Sequence, residues 1–132
     1  MGSPRRTLIG VSQNNTALTA LLADEVLLSL PAVAEQFNMP VTKVGDLLTD
    51  RKLVAFRVDG RKTVPAALVG DGDHPSKFVA GAITVLADGG YTDEEILEYL
   101  FTADDTLPGR PVDALHGHGA REVIRRAQAM AL

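Results

Sequence analysis

The sequence predicts a mainly α-helical protein that carries one small β-hairpin. Its apolar residues make up 45% of the 132 and are mostly Leu, Val and Ala, with no Trp, and they recur at helical spacing along most of the chain. Asp59-Gly60, a pair that tolerates the positive φ angles of a tight turn, separates two β-prone runs. A chain of this length is expected to form one domain, or one small domain with an appended subdomain.

The twenty residues from Leu30 to Thr49 (LPAVAEQFNMPVTKVGDLLT) have the pattern of two short helices joined by a sharp turn. Ala34 is the fifth of them, where two crossing helices touch and a larger side chain would separate them. Asn38 is the ninth, where a left-handed backbone favours Gly, with Asn next best. Positions four, eight, ten, fifteen and eighteen face the shared core and are Val33, Phe37, Met39, Val44 and Leu47. The segment predicts a helix-turn-helix whose second helix runs from about Val41 to Asp50.

A β-hairpin is expected directly after the second helix. Leu53–Val58 and Arg61–Pro65 are the two β-prone runs, and the Asp-Gly pair between them predicts a two-residue turn. Pro65 ends the second strand or confines it to an edge. A hairpin in this position is typical of the wing of a winged helix-turn-helix. We expect this unit, together with a preceding helix, to occupy residues 16–69.

The segments on either side of this unit have different compositions. Residues 1–15 are polar, with Gly, Pro, Ser and paired Asn, and are predicted to be a flexible N-terminal arm. Thr16 to Leu28 is predicted to be the preceding helix, with Thr16 as its cap. Residues 70–132 are predicted to form a C-terminal helical subdomain.

Three helices are expected in the C-terminal subdomain. The first covers about Phe78 to Leu86 and ends at a pair of glycines. Thr92 and Glu95 form a capping box for a second helix that ends at about Phe101. A final helix begins at about Val112 or Ala120 and ends at Met130. Its inward residues are expected to be Val123, Ile124 and Ala127, and its outward residues Arg121, Arg125 and Arg126.

The net charge of −4 is unevenly distributed along the chain. Residues 30–69 contain six basic and four acidic residues, whereas residues 70–132 contain five basic and eleven acidic ones. A negative net charge argues against nonspecific coating of nucleic acid. A local excess of basic residues can nevertheless attract phosphate, and this excess lies in the winged unit.

The basic residues of the winged unit lie where such folds contact double-stranded DNA. The second helix of a helix-turn-helix enters the major groove by its N-terminal end, so residues of its first turn are expected to contact base edges or phosphates. Cations at the end of that helix and around the wing are expected to span neighbouring phosphates or to reach the minor groove. The predicted DNA-binding residues are Thr42, Lys43, Arg51, Lys52, Arg57, Arg61 and Lys62.

Other interpretations of these residues stay open. The helix-turn-helix can serve as the scaffold of a protein–protein interaction or adaptor module, in which the acidic C-terminal helices dock a partner. The cations of an exposed hairpin can serve only to protect an edge strand. The oligomeric state is open as well, because many regulators of this fold dimerise to read paired half-sites, whereas a winged unit can also act as a monomer.

The N-terminal arm contains a candidate phosphorylation site. Arg5-Arg6-Thr7 places a hydroxyl directly after two basic residues, a context that suits a basophilic serine/threonine kinase. Phosphate on Thr7 would add about two negative charges, which would repel DNA or compete for the basic wing. The alternative is an inert tail.

Several kinds of chemistry find no support in the sequence. The absence of cysteine excludes disulfides and thiolate metal sites and fits a reducing cytoplasm. No apolar run approaches the roughly 20 residues of a membrane span, and no signal peptide is recognisable, so a cytoplasmic protein is expected. His116 and His118 lack a third metal ligand and are expected to pack or cap. Because no nucleotide-binding or hydrolase motif occurs either, no metal, cofactor or enzymatic activity is expected, and a metal-dependent enzyme is a distant third interpretation.

Three segments resemble a small actinobacterial family of winged helix-turn-helix DNA-binding proteins: LPAVAEQFNMPVTKVGDLLTDRKLVAFR, LADGGYTDEEILEYLFT and RPVDALHGHGAREVIRRAQAMAL. The resemblance covers about Leu28 to Leu132, and the third segment is the most specific because no generic helix requires its order of residues. It implies a DNA-binding, regulatory protein with a helical C-terminal part of unassigned role. It also implies an association with actinobacterial serine/threonine kinase signalling, and therefore a kinase as a partner. The arm lies outside the resemblance.

Overall fold

A computed structural model describes residues 17–132 of the chain, and within this range it contains eight helices and one three-stranded sheet. The fold class predicted from the sequence is confirmed. In chain order the elements are α1 (17–21), β1 (Leu27–Ser29), α2 (Leu30–Gln36), α3 (Val41–Thr49), β2 (Phe56–Val58), β3 (Arg61–Pro65), α4 (Ala66–Val69), α5 (Lys77–Asp88), α6 (Asp93–Phe101), α7 (Pro111–Leu115) and α8 (Ala120–Met130).

Helices α2 and α3 form the helix-turn-helix that the sequence predicts. Ser29 caps α2, because its hydroxyl accepts a hydrogen bond from the backbone N–H of Ala32 at 3.2 Å. The turn that follows depends on Asn38, whose φ of 52° lies in the left-handed region. Ala34 is 7% exposed where the two helices pack together, and its carbonyl oxygen accepts a hydrogen bond from the backbone N–H of Met39 at 3.0 Å.

The sheet is antiparallel and has the order β1-β3-β2. Strands β2 and β3 form the predicted hairpin, with Val58 opposite Arg61 across a two-residue turn. Asp59 and Gly60 have φ angles of 51° and 81°, as a turn of this kind requires. The first strand of this hairpin, β2, begins at Phe56 and not at the predicted Leu53. Leu53 and Val54 precede the strand and are buried in the core.

The predicted helix over Thr16–Leu28 is wrong in its second half. The helix ends at residue 21, and residues 27–29 instead form β1 along the open side of β3, with Leu28 opposite Val64. The backbone N–H of Ala66 extends this pairing by donating to the carbonyl oxygen of Val26 at 2.8 Å. Leucines at helical spacing suggested a continuous helix, but β3 offers backbone partners that local spacing cannot reveal. The proposed cap, Thr16, lies outside the described residues.

The C-terminal helices begin and end close to their predicted positions, and one additional short helix precedes the last of them. The Thr92–Glu95 capping box at the start of α6 is confirmed, with bonds of 2.9 and 3.2 Å. The final helix, α8, begins at Ala120, the second of the two predicted starting points, and Val112 belongs to the separate helix α7. Arg126 was expected to point outward, but its side chain is only 27% exposed and its guanidinium bonds to Glu122 and Thr106 at 2.7 and 2.6 Å.

One continuous core joins the winged unit to the C-terminal helices. Polar contacts at the same junction tie the two parts together. Gln36 donates to the backbone carbonyls of Gly70 and Gly72 at 2.8 and 2.9 Å, and Arg110 pairs with Glu25 at 2.6 Å. None of the helices within residues 17–132 is both long and apolar enough to cross a membrane.

Candidate nucleic-acid interface

Helix α3 presents its outer face to solvent. Val44 is buried in the core, whereas Val41, Thr42, Lys43 and Asp46 are exposed. Apolar residues repeat toward the core and polar ones toward solvent, so the sequence of α3 fixes which face is free. Thr42 and Lys43 therefore lie at the accessible N-terminal end of the helix, where they were predicted to be.

The wing places two cations side by side. Arg57 on β2 lies directly opposite Lys62 on β3, and both residues are exposed. Side chains two residues apart on a strand share a face, so Lys62 lies on the same face as the fully buried Val64, farther out along the strand. The face of the sheet that covers the core therefore carries these two cations where it extends beyond the core.

A groove of about 520 Å³ separates α3 from the wing. Gly45 and Thr49 of α3 line one side, and Arg57 and Lys62 of the wing line the other. Its other lining residues are Leu18, Thr19, Leu48, Leu53, Ala55, Phe56, Asp93, Glu94 and Leu97. Helix, wing and groove form one surface, which we call the α3–wing surface.

The cations of this surface have no carboxylate partners among residues 17–132, as the ion pairs of that range show. The cations concerned are Lys43, Lys52, Arg57, Arg61 and Lys62, all of them exposed. Like charges directly opposite each other on a sheet are destabilising, so the Arg57–Lys62 pair costs stability within the protein. An anionic ligand in the groove would offset that cost.

Arg51 is the one predicted DNA-binding cation that is already paired. Its guanidinium lies 2.6 Å from a carboxylate oxygen of Asp93 at the start of α6, and its carbonyl oxygen accepts a hydrogen bond from the Thr84 hydroxyl at 2.9 Å. The backbone of Arg51 has a φ of 58°, which turns the chain out of α3. Arg51 therefore joins the helix-turn-helix to the C-terminal helices.

Lys43 lies on a different side of α3 from the groove. A shallow depression of about 450 Å³ surrounds it, lined also by the turn residues Asn38, Met39 and Pro40 and by Asp46, Leu47 and Asp50. Two carboxylates thus share the surroundings of Lys43, and they would limit how closely phosphate approaches along that side of the helix. Thr7 lies outside the described residues.

Three cations of the acidic C-terminal part, Arg110, Arg125 and Arg126, are held in ion pairs. Glu122 accepts hydrogen bonds from Arg125 and Arg126, and these bonds lower its pKa from 4.5 to about 2. The bond to Arg110 likewise lowers the pKa of Asp113. These arginines are therefore engaged in ion pairs, whereas the cations named above for the α3–wing surface have no carboxylate partner within residues 17–132.

A second depression, of about 580 Å³, lies on the C-terminal part between Tyr91, Glu98, Tyr99 and Asp105. Burial raises the pKa of the Tyr99 hydroxyl, which has no hydrogen-bond partner among the described residues. His116 lies elsewhere, with its Nε2 atom 2.8 Å from the carbonyl oxygen of Ala67 and its ring against Gly70. In residues 17–132 no three His, Cys, Asp or Glu side chains come together as a metal site would require.

Comparison with known proteins accounts for both halves of the chain. Residues 15–69 match the family described as DNA-binding protein Rv2175c, wHTH domain, and residues 77–131 match the Rv2175c C-terminal domain of unknown function. The DNA-binding protein Rv2175c of Mycobacterium tuberculosis (strain ATCC 25618 / H37Rv) is 41% identical over 141 residues, covering 98% of this chain and 97% of the relative. The chain belongs to the Rv2175c family. The predicted resemblance to an actinobacterial winged helix-turn-helix family is thereby confirmed.

A solved structure of the Rv2175c family has the same fold. The NMR structure of Rv2175c superimposes with a TM-score of 0.75 at 44% identity, and 83% of each chain is covered. This agreement supports the winged helix-turn-helix and the mainly helical architecture described above.

Of the residues that line the groove, only Arg57 and Lys62 were predicted from the sequence. Gly45 and Glu94 are two of those that were not, and neither belongs to a motif. For Gly45 a signal exists, because glycine is unusual in the interior of a helix. For Glu94 no local signal existed, because only the packing of α6 brings it beside the wing.

Proposed function

We propose that this protein binds double-stranded DNA through the α3–wing surface and acts as a transcriptional regulator. The observation that carries the proposal is the cross-strand pair of cations Arg57 and Lys62 beside the exposed helix α3, neither of which has a carboxylate partner among residues 17–132. The relative from Mycobacterium tuberculosis is named a DNA-binding protein, which supports the same conclusion.

The proposed contacts follow from the positions of the side chains. The first turn of α3 enters the major groove, where Thr42 and Lys43 reach base edges or phosphates. Arg57 and Lys62 hold a phosphate strand between helix and wing, and Arg61 extends the contact at the wing tip. Lys52 follows α3 and adds a phosphate contact, and Arg51 adds one only if DNA displaces Asp93. The α3–wing surface suits double-stranded DNA better than a single strand. Its exposed element for base contacts is a helix, and a helix of this kind fits the major groove of a duplex.

The test is a pair of charge-matched double variants. Lys43→Ala with Arg57→Ala should weaken binding to duplex DNA by roughly tenfold at about 100 mM salt and flatten the slope of log K against log salt by about two. Lys77→Ala with Arg121→Ala removes the same charge from exposed positions outside the α3–wing surface and should change neither quantity. Fluorescence anisotropy with a labelled duplex measures both. Equal affinities of the two double variants would overturn the proposal.

Control by phosphorylation is part of the proposed function. Arg5-Arg6-Thr7 supports modification of Thr7 by a basophilic serine/threonine kinase, and the arm leads into α1, whose Leu18 and Thr19 line the groove. Phosphate carried by the arm would oppose DNA at that groove. Kinase-treated protein should bind duplex DNA several-fold more weakly, while Thr7→Ala treated in the same way should bind as the untreated protein does. Equal loss in both proteins would exclude Thr7.

A protein-interaction module is the second proposal, and the acidity of residues 70–132 favours it. In that case the C-terminal depression between Tyr91 and Tyr99 would receive a partner, and the helix-turn-helix would be a scaffold. Absent or salt-insensitive binding to duplex DNA, together with a protein partner recovered by pull-down, would favour this function over the first.

A further inference from the structure

Gly45 lies in the middle of α3, the helix proposed to contact DNA. Glycine in a helix interior lowers stability relative to alanine, because it loses more backbone freedom on folding. Glycine at this position therefore lowers the stability of α3.

Within residues 17–132, no close contact or backbone angle requires a glycine here. A Cβ atom built on Gly45 meets no atom of the described residues within 4 Å, and the residue is not among those of positive φ. At three other glycines the structure does impose such a requirement. A Cβ atom on Gly89 would lie 2.6 Å from the Cβ of Ala131, and one on Gly119 would lie 2.9 Å from the Cβ of Ala114. Gly60 has a φ of 81° at the tip of the wing.

The missing side chain opens the groove of the α3–wing surface. Gly45 and Thr49 are four residues apart and so lie on the same side of α3, and both line the groove that faces Arg57 and Lys62. At Gly45 the wall of this groove is the helix main chain. A ligand can therefore approach the helix axis more closely at Gly45 than at positions of α3 that carry a side chain.

We propose that Gly45 is the point of closest approach between α3 and one sugar-phosphate strand of the duplex, which lies in the groove with its phosphates against Arg57 and Lys62. The inference rests on the proposed function and makes it more specific. It places a sugar-phosphate strand in the groove, and it holds that the absence of a side chain at Gly45 determines how deeply this strand can lie. A side chain at position 45 would hold the strand away from the two cations.

The consequence is that stability and affinity change in opposite directions. Gly45→Ala and Gly45→Leu both introduce strong helix formers, so each should raise Tm by about 3–5 °C. Each should also weaken binding to a fluorescein-labelled duplex of about 24 base pairs at about 50 mM NaCl, with Leu weakening it about tenfold or more and Ala less, because phosphate contacts are lost. Gly45→Leu should also flatten the salt dependence.

The matched control is Gly81→Ala. Gly81 is likewise inside a helix, α5, and a Cβ there would meet only the Cδ1 atom of Ile124 at an ordinary 3.5 Å. This variant should gain stability in the same way and leave DNA affinity unchanged.

A double-variant cycle tests the geometry directly. If Leu at position 45 lifts the strand from the wing, Lys62→Ala should cost several-fold less affinity in the Gly45→Leu background than in the wild type. Strict additivity would overturn the inference, as would unchanged affinity in both Gly45 variants or a lower Tm for Gly45→Ala. Absence of duplex binding by the wild-type protein would instead overturn the proposed function, so the two failures are distinguishable.

Discussion

At the scale of single residues, the α3–wing surface contains a charge that opposes its proposed ligand. Glu94 is exposed in the groove that Arg57 and Lys62 also line. Its carboxylate repels a phosphate strand that enters from the side of α6. Glu94 lies in the first turn of α6, where an acidic residue interacts favourably with the helix dipole. The groove is thus cationic on the side of the wing and anionic on the side of α6.

Removing this charge should strengthen DNA binding. Glu94→Gln keeps the shape of the side chain and should raise affinity by about twofold to fivefold at low salt, with the gain vanishing as salt screens the repulsion. Glu98→Gln on the same helix is the control, because Glu98 lines the depression on the C-terminal part instead. Anisotropy titrations at several salt concentrations measure the difference, and an equal gain in both variants would show that only net charge matters.

The residues that sequence analysis identified are those whose role is local. Asn38 and Asp59-Gly60 were recognisable because a left-handed backbone restricts the residue type at the turn itself. The pairing of Arg51 with Asp93 joins residues that lie 42 apart in the chain, and no local pattern contains it. For the same reason the sequence predicted Arg51 as a DNA-binding residue without indicating its ion pair.

At the scale of elements, boundaries fixed by caps were predictable and boundaries fixed by distant partners were not. The start of α6 follows from Thr92 and Glu95 alone, which satisfy each other's backbone N–H groups. Strand β1 depends on β3, more than 30 residues away, and its leucines fit a helix equally well. The error in the helix before the winged unit has this origin.

The cap of α6 gives a test of element stability. Thr92→Ala leaves the N–H of Glu95 without its acceptor and should lower the free energy of unfolding by about 1 kcal/mol. Thr92→Ser keeps the hydroxyl and should restore most of that loss. Urea unfolding followed by circular dichroism measures both variants, and equal destabilisation by Ala and Ser would mean that the methyl group of Thr92 matters rather than its cap.

At the scale of the whole molecule, stability should fall in acid because carboxylates of the C-terminal part are held ionised. The pKa of Glu122 is lowered from 4.5 to about 2, first by its bond to Arg125 and then by that to Arg126. The unfolded chain takes up the proton at higher pH than the folded one. The contribution of Glu122 is therefore complete above pH 4.5 and is lost as the pH falls toward about 2, and the lowered pKa values of Asp104 and Asp113 act in the same direction.

Glu122→Gln should remove part of this acid sensitivity. The variant should be less stable than the wild type at pH 7, and the difference between the two proteins should shrink as the pH falls from 4.5 toward 2. Urea unfolding at a series of pH values measures the difference. A difference that stayed constant over this range would show that Glu122 contributes to stability without regard to its charge.

The contrast between the basic winged unit and the acidic C-terminal part gives the molecule an electric dipole moment. Because Arg110–Glu25, Arg51–Asp93 and the shared core hold the two parts in one orientation, this dipole is fixed to the body of the protein. In the field of a polyanion it produces a torque that rotates the molecule while it diffuses. A larger share of collisions with the polyanion then begins with α3 and the wing facing it. In fewer collisions do the acidic C-terminal helices face the polyanion and repel it.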